Sequence, residues 1–306
     1  MQKPVQECDT GMPYRKAVQK TMNDGCIKEM EMNADGIKWI QTRNDQYQVL
    51  HSLKTNRKKR AEHGEIFVEG IEAVKQVISS GWAIRSILSA DFSRLSSWGA
   101  DLVENHPGAR RLQLAQELYR ELSDKDEPAE MMLTVEMRGQ NLKTAPLPAS
   151  PLILVFDRPS DMGNLGSLVR SANALGVDLI ILNGHGVDPY DPKTIRASLG
   201  AVFHTPIVQN ESADVLESWL NNLRSTCRLQ VVGTDSGGDC TLSESGIRRP
   251  LALILGNEAK GMSVRLKQFA DRIISIPLTG EVNSLNVACA GSICLWQACE
   301  NSRRTL

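Results

Sequence analysis

Two polar turns near the C-terminal end of the chain carry residue types that suit ligand binding. Each follows a short apolar run, Leu251–Leu255 in LALILGNEAKG and Ile273–Leu278 in IISIPLTGEVNSLN. These runs are rich in β-forming residues and are stopped by Gly or Pro, as buried parallel strands are. Because open α/β sheets bind ligands at the carboxyl ends of their strands, the sequence predicts a ligand site in these two turns.

A third polar cluster lies in DRPSDMGNLGSLVRSANALG, after the apolar run Leu152–Phe156. Helical spacing predicts one buried stripe in this segment, formed by Leu165, Leu168, Val169, Ala172 and Leu175. The stripe leaves Ser167, Arg170 and Asn173 on another face. A glycine turn at 163–166 would let backbone N–H groups approach an anion at the helix start. Judged by itself, Arg170 is more typical of an exposed surface arginine than of a catalytic one.

The sequence lacks the common nucleotide-binding and metal-binding motifs. The glycines after the first apolar run do not form GxGxxG, and GNEAKG lacks the GK[ST] ending of a P-loop. The seven Cys include no CxxC pair and the five His are dispersed, so neither a metal site nor a disulfide framework is expected. This cysteine usage favours a reducing cytosol.

Length and composition predict a two-domain protein. A chain of 306 residues exceeds one ordinary core. Lys and Arg total 35 against 36 Asp and Glu, so contacts with nucleic acid would have to come from local patches. No secretory leader pattern opens the chain, and no apolar run reaches the roughly 20 residues that span a bilayer. We therefore expect a soluble, cytoplasmic protein.

The helix and strand patterns divide the chain into four parts. Residues 1–43 are predicted to be a polar N-terminal arm, and residues 44–138 a compact α/β/α domain. Residues 139–151 contain three Pro and predict a stiff linker that separates the sites of the two domains. Residues 152–306 repeat strand–helix units, and their connection lengths predict a mostly parallel sheet with helices on both faces.

A dense run of cations lies in the predicted helix Asp45–His63 of the smaller domain. Five positive side chains fall within seven residues: Lys54, Arg57, Lys58, Lys59 and Arg60. Such a cluster can bind an RNA backbone, because Lys and Arg neutralise phosphates. A solvated helix face explains the same residues equally well, and the sequence leaves both interpretations open.

Residues 155–306 resemble the catalytic domain of the SpoU (TrmH-type) RNA ribose methyltransferases of the SPOUT superfamily. Three motifs carry the resemblance in the family's order: DMGNLGSLVRSANALG, LILGNEAKGMS and IPLTGEVNSLNVACAG. A fourth segment, KTIRASLGAVFHTP, is similar to the family's stretch between the first two. Met162 stands where many members have Pro, and Cys289 and Gly291 replace commoner small residues. Residues 44–138 resemble the family's substrate-binding domain, which is similar to ribosomal protein L30e.

The resemblance implies a fold, a cofactor and an assembly. Family members pass their last segment through a preceding loop to form a deep trefoil knot, and they dimerise through helices near it. The resemblance thus implies a knotted domain, a homodimer and S-adenosylmethionine bound in the knot. The positions that match the family's cofactor site are Thr234, Gly256, Asn257, Gly261, Ile276, Leu278 and Leu285.

The same resemblance assigns catalytic and RNA-binding positions. The matching catalytic positions are Arg170, Asn164, Glu258, Ser284 and Asn286, and Arg196 in the fourth segment joins the cation run as an RNA-binding candidate. The family's arginine is thought to act as general base on a ribose 2′-hydroxyl. Because a guanidinium has a pKa above about 12, positioning is favoured for Arg170 and base function stays open. Ser284 and Asn286 also suit capping of the final helix.

The implied activity is S-adenosylmethionine-dependent 2′-O-methylation of RNA, without a metal. The L30e-like domain favours ribosomal RNA, because members with that module often modify it, and transfer RNA is an alternative. A catalytically silent RNA-binding protein on the same scaffold is a second alternative. An unrelated nucleotide-dependent α/β enzyme is a third, although the chain has no phosphate loop.

Overall fold

The computed structural model describes residues 36–304, which form two α/β domains. The smaller domain has a five-stranded sheet made of β1 (Ile37–Ile40), β2 (Glu65–Glu69), β3 (Ile84–Ser89), β4 (Arg110–Leu114) and β5 (Met132–Glu136). The strand order is β1-β4-β3-β5-β2. β4 pairs in parallel with β1 and β3, whereas β5 pairs antiparallel with β2 and β3.

Helices cover both faces of this sheet. They are α1 (Asp45–Thr55), α2 (Arg57–His63), α3 (Ile71–Ser79), α4 (Ser97–Asn105) and α5 (Gln116–Leu122). The single helix predicted over Asp45–His63 is divided at Asn56. The extended backbone of Asn56 ends α1, and its side chain caps α2 by accepting a hydrogen bond from the Lys59 N–H group.

Strand β1 shows that the smaller domain begins before residue 44. Ile37–Ile40 pairs with residues 111–114 along its whole length, and Ile40 is fully buried. The predicted arm 1–43 therefore extends too far, because residues 37–40 belong to the sheet; residues 1–35 lie outside the described residues. A four-residue strand shows too little periodicity to be separated from a loop by pattern.

The larger domain is built on a seven-stranded parallel sheet. Its strands are β6 (Leu152–Asp157), β7 (Leu179–Asn183), β8 (Ile207–Asn210), β9 (Gln230–Thr234), β10 (Cys240–Thr241), β11 (Leu251–Leu255) and β12 (Arg272–Ser275). The order is β10-β12-β9-β11-β6-β7-β8. Every residue of β6, β7 and β11 is buried, which explains their unbroken apolar runs. The predicted parallel sheet is confirmed, and the two-residue strand β10 was not predicted.

Five helices flank this sheet on both faces, as predicted. They are α6 (Met162–Ala174), α7 (Pro192–Ala197), α8 (Ala213–Cys227), α9 (Val264–Phe269) and α10 (Val287–Arg303). Leu168 and Leu295 bring α6 and α10 to one face, while Leu220 and Leu266 bring α8 and α9 to the other. Within residues 36–304, no helix combines the length and apolarity needed to cross a membrane.

The last two elements run back past the preceding chain. β12 lies between β9 and the edge strand β10. The chain therefore passes from β9 to β10 and back to β11 around the position that β12 later takes. α10 then packs on α6 at Gly291, where an added Cβ would lie 2.5 Å from Leu255 and 2.7 Å from Leu168. The end of α10 returns to the start of β11, where Ser302 Oγ accepts from the Arg249 N–H group at 3.1 Å. This path is compatible with the implied trefoil knot, which stays a prediction.

The two domains pack against each other through apolar and charged contacts. The Trp82 ring meets Phe203 edge-on, with centroids 5.1 Å apart, and Trp82 Nε1 donates to the Phe203 carbonyl at 2.8 Å. The connecting segment 139–151 is itself docked, because Leu142 is buried in a core of the larger domain. The segment predicted as a linker is therefore packed on the larger domain.

Candidate active site

The polar groups of the first two motifs meet around the carboxylate of Glu258. Its Oε2 accepts hydrogen bonds from the Ser160 N–H group at 3.0 Å and the Ser160 hydroxyl at 2.6 Å. Its Oε1 accepts from the Asp161 N–H group at 3.2 Å and the Asn164 side-chain amide at 3.4 Å. Glu258 therefore ties the turn after β11 to the loop after β6.

These hydrogen bonds keep Glu258 ionised. Partial burial raises the pKa of this carboxyl, but hydrogen bonds from Ser160, from its own backbone N–H group and from Asn164 outweigh burial. The net pKa lies below the usual value, because donors stabilise the charged form. At neutral pH Glu258 is thus an acceptor that orients its neighbours, and it does not serve as a general acid.

Asn164 extends the same network to the third motif. Asn286 donates from Nδ2 to Asn164 Oδ1 at 2.8 Å, while its own Oδ1 accepts from the Ala288 N–H group at 2.9 Å. Asn286 therefore caps α10, as the sequence allowed, and contacts the site with the same side chain. Ser284 is exposed and makes no hydrogen bond within the described residues.

Arg170 lies on the exposed face of α6, and its guanidinium has no partner within the described chain. Among residues 36–304, no hydrogen bond or ion pair engages this side chain. Arg170 follows Asn164 by six residues on α6, which places it about 9 Å along the helix axis and about 120° around the helix. An unpaired cation on the same helix as Asn164 is free to bind an anionic substrate.

The prediction of a glycine turn at 163–166 is wrong, because these residues are helical. α6 begins at Met162 with Asp161 as N-cap, and Asp161 Oδ1 accepts from the Asn164 N–H group at 2.7 Å. An added Cβ at Gly166 would lie 2.5 Å from the Ala197 Cβ atom. Gly166 therefore lets α6 and α7 pack closely, and it does not approach an anion.

The turn at 256–262, which carries the second motif, is closed by its own hydrogen bonds. Asn257 and Gly261 exchange two backbone hydrogen bonds, of 3.1 and 2.9 Å, and Asn257 Oδ1 accepts from the Lys260 N–H group at 2.9 Å. Gly261 has φ +66°, a conformation that suits glycine. An added Cβ at Gly256 would lie 2.2 Å from the Met262 nitrogen, so Gly256 is required by the turn itself.

The loop that carries the third motif presents unpaired backbone and apolar side chains. No backbone N–H group between residues 278 and 286 donates a hydrogen bond to any part of the chain within 36–304. Leu278 and Leu285 expose 37% and 38% of their surfaces, and Ile276 is half-buried. Thr234 lies at the end of β9 and donates from Oγ1 to the Ile254 carbonyl at 3.2 Å. The loop thus offers both polar and apolar contacts to a ligand.

Asp157 and Arg158 form hydrogen bonds with residues 261 and 263 of the second motif, and neither was predicted as a site residue. Asp157 is 1% exposed and accepts from Arg158 Nη2 at 2.8 Å and from the Ser263 N–H group at 2.9 Å. Arg158 has φ 53° and donates to the Gly261 carbonyl at 3.1 Å. The position of an Asp-Arg pair at the end of a buried strand was the available signal.

Two members of the cation run contact the larger domain. Arg60 is 1% exposed, and its Nε and Nη2 atoms donate to Asp188 Oδ2 at 2.9 and 2.7 Å. Arg57 donates from Nη1 to the Gly186 carbonyl at 3.0 Å and from Nη2 to the side chain of Gln209. Arg60 is therefore engaged between the domains and is not accessible to a phosphate.

The remaining predicted RNA-binding cations differ in exposure. Lys54 is largely covered and pairs with Asp124 at 2.7 Å, and Arg196 reaches the same carboxylate at 3.3 Å. Lys58 and Lys59 expose 85% and 48% of their side chains, and both lie near the exposed Glu62. Lys58 and Lys59 are therefore exposed members of the run that no described residue of the larger domain engages.

Comparison with known proteins gives matches over both domains. Residues 151–296 match the model of the SpoU rRNA Methylase family, and residues 44–134 match that of the SpoU L30e-like domain. A Streptomyces viridochromogenes protein named 23S rRNA (uridine(2479)-2'-O)-methyltransferase is 35% identical, over 85% of this chain and 91% of its own. A Bacillus subtilis protein named 23S rRNA (guanosine(2553)-2'-O)-methyltransferase RlmP is 28% identical, over 78% and 90%.

A solved structure shows the same architecture. The crystal structure of the SpoU methyltransferase AviRb from Streptomyces viridochromogenes, in complex with the cofactor AdoMet, has a TM-score of 0.77 to this chain. Its sequence identity is 32%, and the match covers 86% of this chain and 100% of that one.

Proposed function

Because this chain belongs to the SpoU rRNA Methylase family, we propose that it transfers a methyl group from S-adenosylmethionine to a ribose 2′-hydroxyl of ribosomal RNA. Two relatives are named as 23S rRNA 2′-O-methyltransferases. In this chain, the proposal is carried by one observation: the Glu258 network joins all three motifs, and the helix that contributes Asn164 also carries an arginine that has no partner within residues 36–304.

The 256–262 turn and the 278–286 loop fit the cofactor. The unpaired backbone groups of the loop can form hydrogen bonds with the donors and acceptors at an adenine edge. A bound cofactor would cover these groups, and a covered polar group requires a partner. Leu278 and Leu285 offer apolar contact to the purine faces, while Asn257 and Gly261 shape the turn beside them. When bound, S-adenosylmethionine supplies an electrophilic methyl group on its sulfonium.

We assign Arg170 to binding and orienting the nucleotide. A guanidinium presents its donors in a rigid fork, which suits phosphate and ribose oxygens. Asn164, held by Glu258 and Asn286, provides a fixed amide on the same helix. Rate enhancement then comes mainly from aligning the 2′-oxygen, which correct positioning alone can supply.

RNA affinity is assigned to exposed cations of both domains. Lys58 and Lys59 form exposed pairs with Glu62, and such pairs are weak enough for a phosphate to replace the carboxylate. Arg196 is a further contact on the larger domain, and its side chain is 40% exposed. A ribosomal RNA substrate places the protein in the cytoplasm.

A homodimer through α10 accounts for an exposed apolar stripe. Cys289, Ile293 and Trp296 follow helical spacing, and Ile293 and Trp296 expose 39% and 53% of their surfaces. Trp296→Glu should therefore convert a dimer to a monomer in analytical ultracentrifugation. Trp39→Glu is the matched control, because Trp39 is 44% exposed on the other domain and should leave the mass unchanged.

Methyl transfer from tritiated S-adenosylmethionine tests the function. Ribosomal RNA from cells that lack the protein should be labelled on a ribose 2′-oxygen, whereas transfer RNA should not. Arg170→Ala should lower kcat/KM by about 100-fold, the size of loss expected when a positioning contact is removed, with cofactor affinity unchanged in calorimetry. Arg228→Gly removes an exposed arginine at the end of α8 and should leave activity intact. Labelling of a base, or cofactor binding without transfer, would contradict the proposal.

A further inference from the structure

Leu199 is an exposed leucine in the left-handed backbone conformation. Its φ is 50°, and positive φ is shared by only two other non-glycine residues within 36–304, Arg158 and Arg228. Leu199 exposes 42% of its surface, whereas Ser198 and Gly200 on either side are buried. A single exposed leucine is ordinary, but a residue with a Cβ atom disfavours positive φ because that Cβ approaches a carbonyl oxygen. The combination requires an explanation.

The surrounding structure holds Leu199 in this conformation. Its N–H group donates to the Arg196 carbonyl at 3.0 Å, and the Gly200 N–H group donates to the Ile195 carbonyl at 3.0 Å. Gly200 packs against α3 of the smaller domain, where an added Cβ would lie 2.9 Å from the Ala73 Cα atom. The backbone of Leu199 is therefore determined by the domain junction.

Leu199 belongs to a segment that packs on α6, the helix that carries Arg170. Residues 197–205 run along α6, because Ala197 contacts Gly166 and Thr205 accepts from the Asn173 side chain at 3.0 Å. Arg170 lies on α6 between Gly166 and Asn173, one turn after Gly166 and on nearly the same side of the helix. The segment that carries the exposed leucine is thus packed on the helix of the unpaired guanidinium, at the junction of the two domains.

Helix capping alone does not explain a leucine here. Positions that follow a helix in the left-handed conformation are usually glycine or asparagine, which form the same backbone hydrogen bonds without strain. Residues held in strained backbone conformations cluster at functional sites. The side chain of Leu199 is apolar, oriented by fixed backbone and open to solvent, which are the properties of a group that contacts a base.

We propose that Leu199 is a wedge that displaces a base from the stack next to the target nucleotide. The inference rests on the proposed function, since it identifies an RNA contact of the same site. Leucine is among the apolar side chains that proteins insert between base steps to unstack them. Sequence-specific RNA recognition depends on such unstacked bases, whose riboses then become accessible. Leu199 would hold the nucleotide open while Arg170 binds its backbone.

Two substitutions remove the wedge without straining the backbone, Leu199→Gly and Leu199→Asn, and Leu199→Met retains apolar bulk. Arg228→Gly is the matched control, because it relieves the same strain at the end of α8. Each variant is assayed on two RNA fragments that contain the methylated nucleotide. One fragment is intact, and the other carries an abasic site beside the target, so that its stack is already open.

Leu199→Gly and Leu199→Asn should lower kcat/KM at least about tenfold on the intact fragment and less than about threefold on the abasic fragment, because unstacking a base costs free energy only where the stack exists. Their melting temperatures should equal or exceed that of the wild type, and Leu199→Met and Arg228→Gly should keep wild-type activity. Fluorescence of 2-aminopurine beside the target should rise on binding of wild-type protein and not of Leu199→Gly.

Two results would overturn the inference while the proposed function stands. The first is an intact-fragment activity of Leu199→Gly and Leu199→Asn within about threefold of wild type. The second is an equal loss on both fragments, which would assign Leu199 to shaping the site. Wild-type protein that methylates neither fragment would refute the proposed function, and the wedge with it.

Discussion

Replacing Arg60 should destabilise the protein, because it leaves a buried carboxylate without its cation. The Arg60 and Asp188 side chains are 1% and 8% exposed, and two bonds of 2.7 and 2.9 Å join them. Arg60 Nη1 also donates to the carbonyls of Leu53 and Lys54, at 2.9 and 3.1 Å. Removing one partner of a buried pair costs about 3–5 kcal/mol. We expect Arg60→Met to lower the free energy of unfolding by this amount.

Urea denaturation followed by circular dichroism measures the destabilisation. Lys58→Met is the matched control, because the Lys58 side chain is 85% exposed and its removal should change stability by less than about 0.5 kcal/mol. Adding Asp188→Asn to Arg60→Met should recover more than half of the stability, since no buried charge then remains unpaired. An Arg60→Met protein within about 1 kcal/mol of wild type would refute this reasoning.

Three further perturbations test the site and the RNA surface. Glu258→Gln places an amide against the donors of Ser160 and should cost about 1–3 kcal/mol of loop stability, with a matching fall in methyl transfer. The pKa of Glu258 in the folded protein lies below its usual 4.5. The contribution of Glu258 to the free energy of unfolding should therefore be complete above pH 4.5 and lost as the pH falls through the lowered value. The stability curves of wild type and Glu258→Gln should converge in acid. Gly256→Ala should reduce both melting temperature and cofactor affinity, whereas Gly280→Ala, where an added Cβ meets nothing within 4 Å, should change neither melting temperature nor folding. Neutralising Lys58 and Lys59 together should weaken RNA binding and reduce the slope of its salt dependence by about 0.7–0.9 for each phosphate that is no longer neutralised, and an unchanged slope would reduce the two lysines to a solvated helix face.

The sequence by itself determined the buried parallel strands of the larger domain and the family to which the chain belongs. The buried strands β6, β7 and β11 are read from unbroken apolar runs, because both faces of a parallel sheet are covered. The motifs after these strands indicated the family, and Asn164, Glu258 and Asn286 were identified from them before any contact was known. Their hydrogen bonds are a consequence of topology, which brings the carboxyl ends of parallel strands to one edge.

Only the tertiary structure decided how individual polar side chains are used. Arg60 and Lys58 are alike in a linear pattern of cations, yet one is buried against Asp188 and the other is exposed. Gly166 resembled a turn residue, and the neighbouring helix gives it a packing role. The residue that pairs with a charge, or that packs against a glycine, lies far away in the chain. The separation between Arg60 and Asp188, for example, is 128 residues. Local periodicity reports which face of an element is buried, and it carries no information on what that face meets.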